Sequence, residues 1–274
     1  VALRINPDVD AGTHAKITTG RADNKFGVAY GDAAALYAHA ATLPGVQPVG
    51  IALHIGSQIM SMTPYRAAYA RTAELVQALR AAGQVVEAVD CGGGLGIPYR
   101  NEPSASPAAF AGAIRAALGG LDVRLAIEPG RWLVGPAGVL LASVILSKMT
   151  SGRRFVVLDA AMNDLARPAM YDAWHGVVPV SPVDAVRPTA PADIVGPVCE
   201  TGDTLARNRA LPPLAAGARL AILDAGAYGS VMSSTYNARP LAAEVMIDGN
   251  RWSVIRARQP VEAMWAGEST PDWF

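Results

Sequence analysis

Short apolar runs alternate with glycine-bearing loops and Ala-rich segments through the first half of the chain. The runs VALRI (1–5), VGIALHI (49–55), VVEAVDC (85–91) and VRLAIEP (123–129) read as strands. Between them stand YGDAAALYAHAATL and TPYRAAYARTAELVQALRAAG. In the second of these, Tyr65, Tyr69, Leu75, Val76 and Leu79 fall near helical spacing, Thr63 with Pro64 makes a start and Gly83 a stop. Strands alternating with helices predict βαβ units on a parallel sheet. Four such units make half of an eight-fold (β/α) barrel.

After about residue 135 the pattern changes. LLASVILSKM, RRFVVLDAA, ADIVGPVCE, ARLAILDAGA and RWSVIRARQ are β-like runs broken by turns such as IDGNR, with little helical periodicity between them. The expected fold is therefore α/β followed by all-β: a barrel portion over residues 1–134 and an antiparallel β domain over 135–274. Pro136 and Gly138 serve as the breakers. VALRIN already reads as a strand, and no initiator methionine precedes it, so the sequence is expected to begin inside a fold.

Composition narrows the partners. The chain has 274 residues, 51% of them hydrophobic, with 23 basic residues against 23 acidic ones. That balance gives no global field to recruit nucleic acid or an anionic membrane, and points to a small molecule. The most apolar run, GVLLASVIL, is far shorter than the roughly 20 residues a membrane helix needs. Cys91 and Cys199 make neither a disulfide framework nor a zinc spacing, so no metal is expected and a cytoplasmic location is.

Chemistry in a parallel α/β unit collects where strands end. The second run ends in HIGSQI; alone, a strand histidine such as His54 is a packed residue. The third ends in CGGGLGI, whose glycines allow backbone amides to approach a phosphate, although a tight turn explains a lone glycine run equally well. The fourth ends in EPGR, a forced turn flanked by Glu128 and Arg131 that suits a cationic ring nitrogen and an anionic group. Arg167 and Tyr171 in MNDLARPAMY, and Tyr228 in LDAGAYGSVMSSTYN, read singly as a salt-bridged turn and packed aromatics. PVCETGD sets the Cys199 thiol directly beside the Glu200 carboxylate.

Together and in this order, RINPDVDAGTHAKITTG, KFG, HIGSQI, DCGGGLGI, EPGR, MNDLARPAMYDAWH, GPVCETGD and GAYGSVMSSTYN resemble the diaminopimelate decarboxylases, a family of pyridoxal-phosphate-dependent enzymes with the alanine racemase-like fold. The resemblance runs from Arg4 to about Arg239. It implies a pyridoxal 5'-phosphate-binding TIM barrel, completed by a C-terminal β domain, that converts meso-2,6-diaminopimelate to L-lysine and carbon dioxide, the last step of lysine biosynthesis. Carried over residue by residue, it implies that His54 stacks on the cofactor ring and that Gly93, Gly94 and Gly130 bind its phosphate. Glu128 would pair with the ring nitrogen, and Ser57, Arg131 and Tyr228 would complete the cofactor contacts. Arg131, Arg167, Tyr171, Glu200 and Tyr228 would bind the amino-acid substrate. Cys199 would reprotonate the product from a neighbouring subunit, which implies a homodimer with shared active sites. Cys91 keeps the reading of a small buried hydrophobe.

One family motif is not matched. The lysine that forms the cofactor's Schiff base lies in a segment resembling Tyr-Ala-x-Lys-Ala-Asn, and none of Lys16, Lys25 and Lys148 stands in one. The chain is expected to lack that N-terminal region. Two alternatives follow: a relative acting on ornithine, arginine or carboxynorspermidine, and a non-catalytic regulatory paralogue. Cys-Glu where the ornithine and arginine forms read Cys-Asp, with Arg167 and Tyr171, favours the dicarboxylic substrate.

Overall fold

The computed structural model describes residues 1–11 and 25–273. Lys16 and most of the DAGTHAKITTG segment lie outside the described residues. The chain divides into two compact units, Val1–Gly135 and Pro136–Phe274.

The first unit is a five-stranded, all-parallel sheet with helices between its strands. Its elements are β1 (Ala2–Asn6), β2 (Val28–Ala29), α1 (Ala33–Thr42), β3 (Gly50–Leu53), α2 (Thr63–Ala81), β4 (Ala88–Gly93), α3 (Pro107–Leu118), β5 (Arg124–Glu128) and α4 (Gly130–Val134). The strand order is β2-β1-β3-β4-β5. The two-residue β2 is an addition to the four strands legible in the sequence. Ser61, rather than Thr63, accepts an N–H at the head of α2, its Oγ 3.3 Å from the Thr63 nitrogen.

Packing of α2 onto β4 places the glycine loop. Tyr65 and Tyr69, one helical turn apart, are fully buried and meet Phe110 of α3 at ring-centroid distances of 4.9 and 6.3 Å. Their hydroxyls donate to the carbonyls of Gly93 (3.0 Å) and Cys91 (3.1 Å). The β4–β5 register shifts between Asp90 and Gly93, and a bulge of this kind takes backbone groups out of the ladder. The tyrosines satisfy carbonyls in that stretch, so a sequence-local pair on a helix fixes the backbone of a loop about 25 residues later. At the other edge of the β4 pairing, β5 exposes Leu125 and Ile127 at 43% and 50%, the apolar edge expected of a half barrel.

The second unit is a six-stranded sheet plus a hairpin. Its elements are β6 (Leu140–Thr150), β7 (Arg153–Leu158), α5 (Arg167–Tyr171), β8 (Val177–Pro179), α6 (Pro182–Ala185), β9 (Ala190–Val195), β10 (Thr204–Leu211), β11 (Arg219–Ile222), β12 (Glu244–Asp248) and β13 (Arg251–Arg256). The sheet runs β10-β9-β7-β6-β11-β8, and β12 pairs only with β13 across the Gly249–Asn250 turn. The pairing is antiparallel except between β7 and β9, which are parallel. A parallel pair needs a long crossover, and residues 159–189 with α5, β8 and α6 supply it.

β10 was not legible as a strand. Arg207, Asn208 and Arg209 interrupt its apolar alternation, and the structure shows a bulge there, with Asn208 at φ 51° and register shifts on both sides of Ala206. The Asp193 carboxylate repairs the break by accepting the Asn208 N–H at 2.8 Å. No helix among the described residues is long and apolar enough to cross a membrane.

Candidate active site

Three adjacent strand ends of the first unit bring their chemistry into one row. β3 ends at Leu53, so His54 is the first residue beyond the strand rather than its last. Its Nδ1 accepts the Gly93 N–H at 3.3 Å. Gly93 is in turn the register partner of Glu128 on β5. An imidazole, a backbone turn and a carboxylate therefore stand side by side at the carboxyl ends of β3, β4 and β5.

Burial pushes the His54 pKa below the usual histidine value, with Arg4 adding to the effect and Asp90 opposing it. Accepting from an amide requires a bare Nδ1, in keeping with the neutral form.

The glycine loop is required by packing as well as by any ligand. A Cβ on Gly93 would overlap the Glu128 carbonyl, and one on Gly94 the Gly56 carbonyl. Gly94 also stands at φ +85°, where a side chain is strained. The loops after β3 and β4 are zipped together: Ile59 donates to Gly94 (2.9 Å), Gly96 to Ile59 (3.0 Å), and the Gln58 amide both donates to and accepts from the Ile97 backbone (2.6 and 3.2 Å). Gln58 was missed in the sequence because an amide beside Gly and Ser reads as loop polarity. Its φ of 60° was the feature no pattern showed.

Arg131, in α4, is buried to 7% exposure. Its guanidinium donates to the Tyr99 hydroxyl at 2.6 Å and to Ser57 Oγ at 3.1 Å, so it ties the loop after β3 to that after β4. Open space lies over Gly130, the first residue of α4. The residues present fit pyridoxal phosphate: a flat imidazole, open backbone at Gly130, and a carboxylate two strands from the imidazole.

The candidates of the second unit fall in three places. Arg167 and Tyr171 are the two ends of α5, with Arg167 buried to 6% exposure. Its guanidinium meets His175 Nε2 at 2.7 Å. Tyr228 follows β11 in a left-handed conformation, φ 56°, which is costly for a tyrosine and marks a held position. Cys199 and Glu200 lie in the loop between β9 and β10, both exposed.

That loop is built on Asp203. Its carboxylate, 3% exposed, accepts N–H bonds from Met162 (2.7 Å) and Val198 (2.8 Å), and its backbone carbonyl takes the Gly196 N–H (3.1 Å). Burial raises the Asp203 pKa against the pull of those two donors. The closing Gly-Asp of PVCETGD thus folds the turn that lifts the thiol and Glu200 to the surface. Glu200 Oε2 accepts the Tyr236 hydroxyl at 2.8 Å, a bond that raises the Tyr236 pKa.

The two thiols differ in environment. Cys91 is 2% exposed, and burial pushes its pKa up to about 12, with Asp90 adding to the shift. One thiol per native chain, Cys199, is expected to react quickly with an aromatic disulfide reagent at mildly alkaline pH, and the second only after unfolding. Two fast thiols in the native protein would contradict the packing around β4.

A parallel half barrel carries a glycine loop and a carboxylate at adjacent strand ends and is followed by a β unit. Comparison with known proteins agrees and is more specific. Residues 1–135 match the model of the pyridoxal-dependent decarboxylase family, pyridoxal binding domain. Diaminopimelate decarboxylase of Zymomonas mobilis is 50% identical over 276 residues, covering 100% of this chain and 65% of that protein. The enzyme of the same name from Pseudomonas fluorescens is 47% identical over 269 residues, covering 98% and 64%. The crystal structure of Helicobacter pylori diaminopimelate decarboxylase complexed with L-lysine superposes with a TM-score of 0.91 at 39% identity, covering 96% of this chain and 65% of that one. The chain belongs to the pyridoxal-dependent decarboxylase family. It spans about two thirds of the length of these relatives, 65% for the Zymomonas protein.

Proposed function

We propose that the protein acts in the decarboxylation of meso-2,6-diaminopimelate to L-lysine, as a cytoplasmic homodimer. The observation that carries this is the His54–Gly93–Glu128 row across three strand ends, in a chain half identical to a diaminopimelate decarboxylase. Pyridoxal phosphate, when bound, supplies a conjugated ring that takes up the electron pair left as carbon dioxide departs.

The chain's own residues would bind and orient. His54, neutral, covers one face of the ring without adding positive charge beside it. The Gly93 N–H is committed to His54 Nδ1, which corrects its reading as a phosphate donor; amides at Gly94 and Gly130, with Ser57, would take the phosphate, and Arg131 holds Ser57 through a hydrogen bond. Glu128 keeps the proton on the ring nitrogen, so that the ring remains an electron acceptor. By the family resemblance, Arg131, Arg167 and Tyr171 would select the substrate's distal carboxylate, Glu200 its far ammonium, and Tyr228 would serve both cofactor and substrate. The Cys199 thiol returns a proton to the carbon that lost carbon dioxide.

The exposed Cys199–Glu200 loop supports the dimer, since a pair that serves a neighbouring subunit must stand at the surface. Both cysteines are free, in keeping with a reducing compartment.

Incubation of the full-length protein, Schiff-base lysine segment included, with pyridoxal phosphate and meso-diaminopimelate, with lysine measured by chromatography, tests the reading. Lysine equimolar with released carbon dioxide supports it; neither product would favour the regulatory alternative.

A further inference from the structure

His175 is fully buried, at 0% exposure, and has no part in the chemistry above. Its ring is held from both ends: Nδ1 lies 2.8 Å from the Leu223 carbonyl and Nε2 lies 2.7 Å from Arg167. A carbonyl can only accept, so Nδ1 must carry the proton. A guanidinium can only donate, so Nε2 must be bare. The two partners together specify one neutral tautomer.

The backbone at this point is also fixed. Arg209 of β10 donates to the His175 carbonyl at 3.2 Å and stacks on the neighbouring Trp174 ring. The imidazole is thus a short rigid post between the end of β11 and the first residue of α5. A neutral acceptor is the suitable choice for such a post. A carboxylate in its place would form a buried ion pair with Arg167.

We propose that His175 is a positioning residue for Arg167: as the Nδ1–H tautomer it orients the guanidinium toward the substrate's distal carboxylate. This rests on the reading of Arg167 as a carboxylate-binding residue. It makes His175 a determinant of dicarboxylate selection that touches neither substrate nor cofactor.

Two variants and one spectrum test it. His175→Leu removes the acceptor and is expected to raise KM for meso-diaminopimelate about tenfold, the usual worth of a hydrogen bond to a charged group, with kcat held within about twofold. His175→Gln keeps an acceptor and a donor on one planar group and is expected to restore most of the loss. A folded His175→Leu protein with unchanged KM, or one losing kcat alone, overturns the proposal. If the leucine variant does not fold, a glutamine variant with KM raised as far as about tenfold overturns it instead.

Nitrogen-coupled NMR of the isotope-labelled parent near neutral pH reads the tautomer directly among the four histidines. Nδ1 protonated and Nε2 bare is the expected result; an Nε2–H tautomer or an imidazolium overturns the coupling to Arg167. That spectrum needs no substrate. A parent protein that releases no lysine while showing the Nδ1–H tautomer would therefore refute the functional reading and leave the Arg167–His175 arrangement standing.

Discussion

Replacing Glu128 with glutamine is expected to lower the rate of carbon dioxide release about 10²- to 10³-fold, with a much smaller change in KM. The substitution is close to isosteric, so the β4–β5 register at Gly93–Glu128, which is made by backbone, survives it. On the proposed reading, what changes is the charge beside the cofactor's ring nitrogen. A carboxylate holds that nitrogen's proton in place; an amide does not, and the ring becomes a poorer acceptor for the electrons released in the chemical step. Because the effect falls on the transition state, kcat should fall while substrate binding is largely kept. A Glu128→Gln protein with nearly unchanged kcat would remove Glu128 from this role. Circular dichroism of the variant separates loss of chemistry from loss of fold.

Gly93→Ala is expected to destabilise the protein by about 3 kcal/mol or more, seen as a lowered urea midpoint. The added Cβ would overlap the Glu128 carbonyl oxygen on the neighbouring strand, and neither side can yield cheaply. β4 is pinned on one side by Tyr65 and Tyr69 through the Gly93 and Cys91 carbonyls, and on the other by its ladder to β5. Relief would require parting two strands at their carboxyl ends. A variant with wild-type stability would mean that the β4–β5 approach at this point is looser than the structure shows. Gly112, exposed to open space within α3, provides the control: alanine there should be neutral or stabilising.

These two residues show how far sequence alone reaches. The parallel half barrel was legible because its strands are uninterrupted apolar runs and its helices keep a clear period, as Tyr65, Tyr69, Leu75 and Leu79 do. The row of His54, Gly93 and Glu128 was legible as a set of strand ends, and the family resemblance supplied the roles. That Gly93 and Gly94 are demanded by neighbouring carbonyls was not, because a glycine run looks alike whether it faces a ligand or another backbone. β10 was hidden by Arg207-Asn208-Arg209, whose polarity follows from a bulge, not from a loop.

Buried polar groups were the least legible. Asp203 reads as half of a Gly-Asp turn, yet its carboxylate organises backbone from residues 162 and 198. His175 ends the recognised MNDLARPAMYDAWH segment, but its partners are Arg167, eight positions earlier, and the Leu223 carbonyl just past β11, 48 positions later. Such groups are specified by tertiary contacts of high sequence separation, and no local period or turn chemistry announces them.

The most direct test of the account is a comparison of kcat/KM for meso-diaminopimelate, ornithine and arginine in the presence of pyridoxal phosphate. The account predicts activity on meso-diaminopimelate, with the other two at least about a hundredfold lower, because Arg167 and Tyr171 are proposed to select a distal carboxylate that ornithine and arginine lack. Equal or greater activity on ornithine or arginine would contradict it.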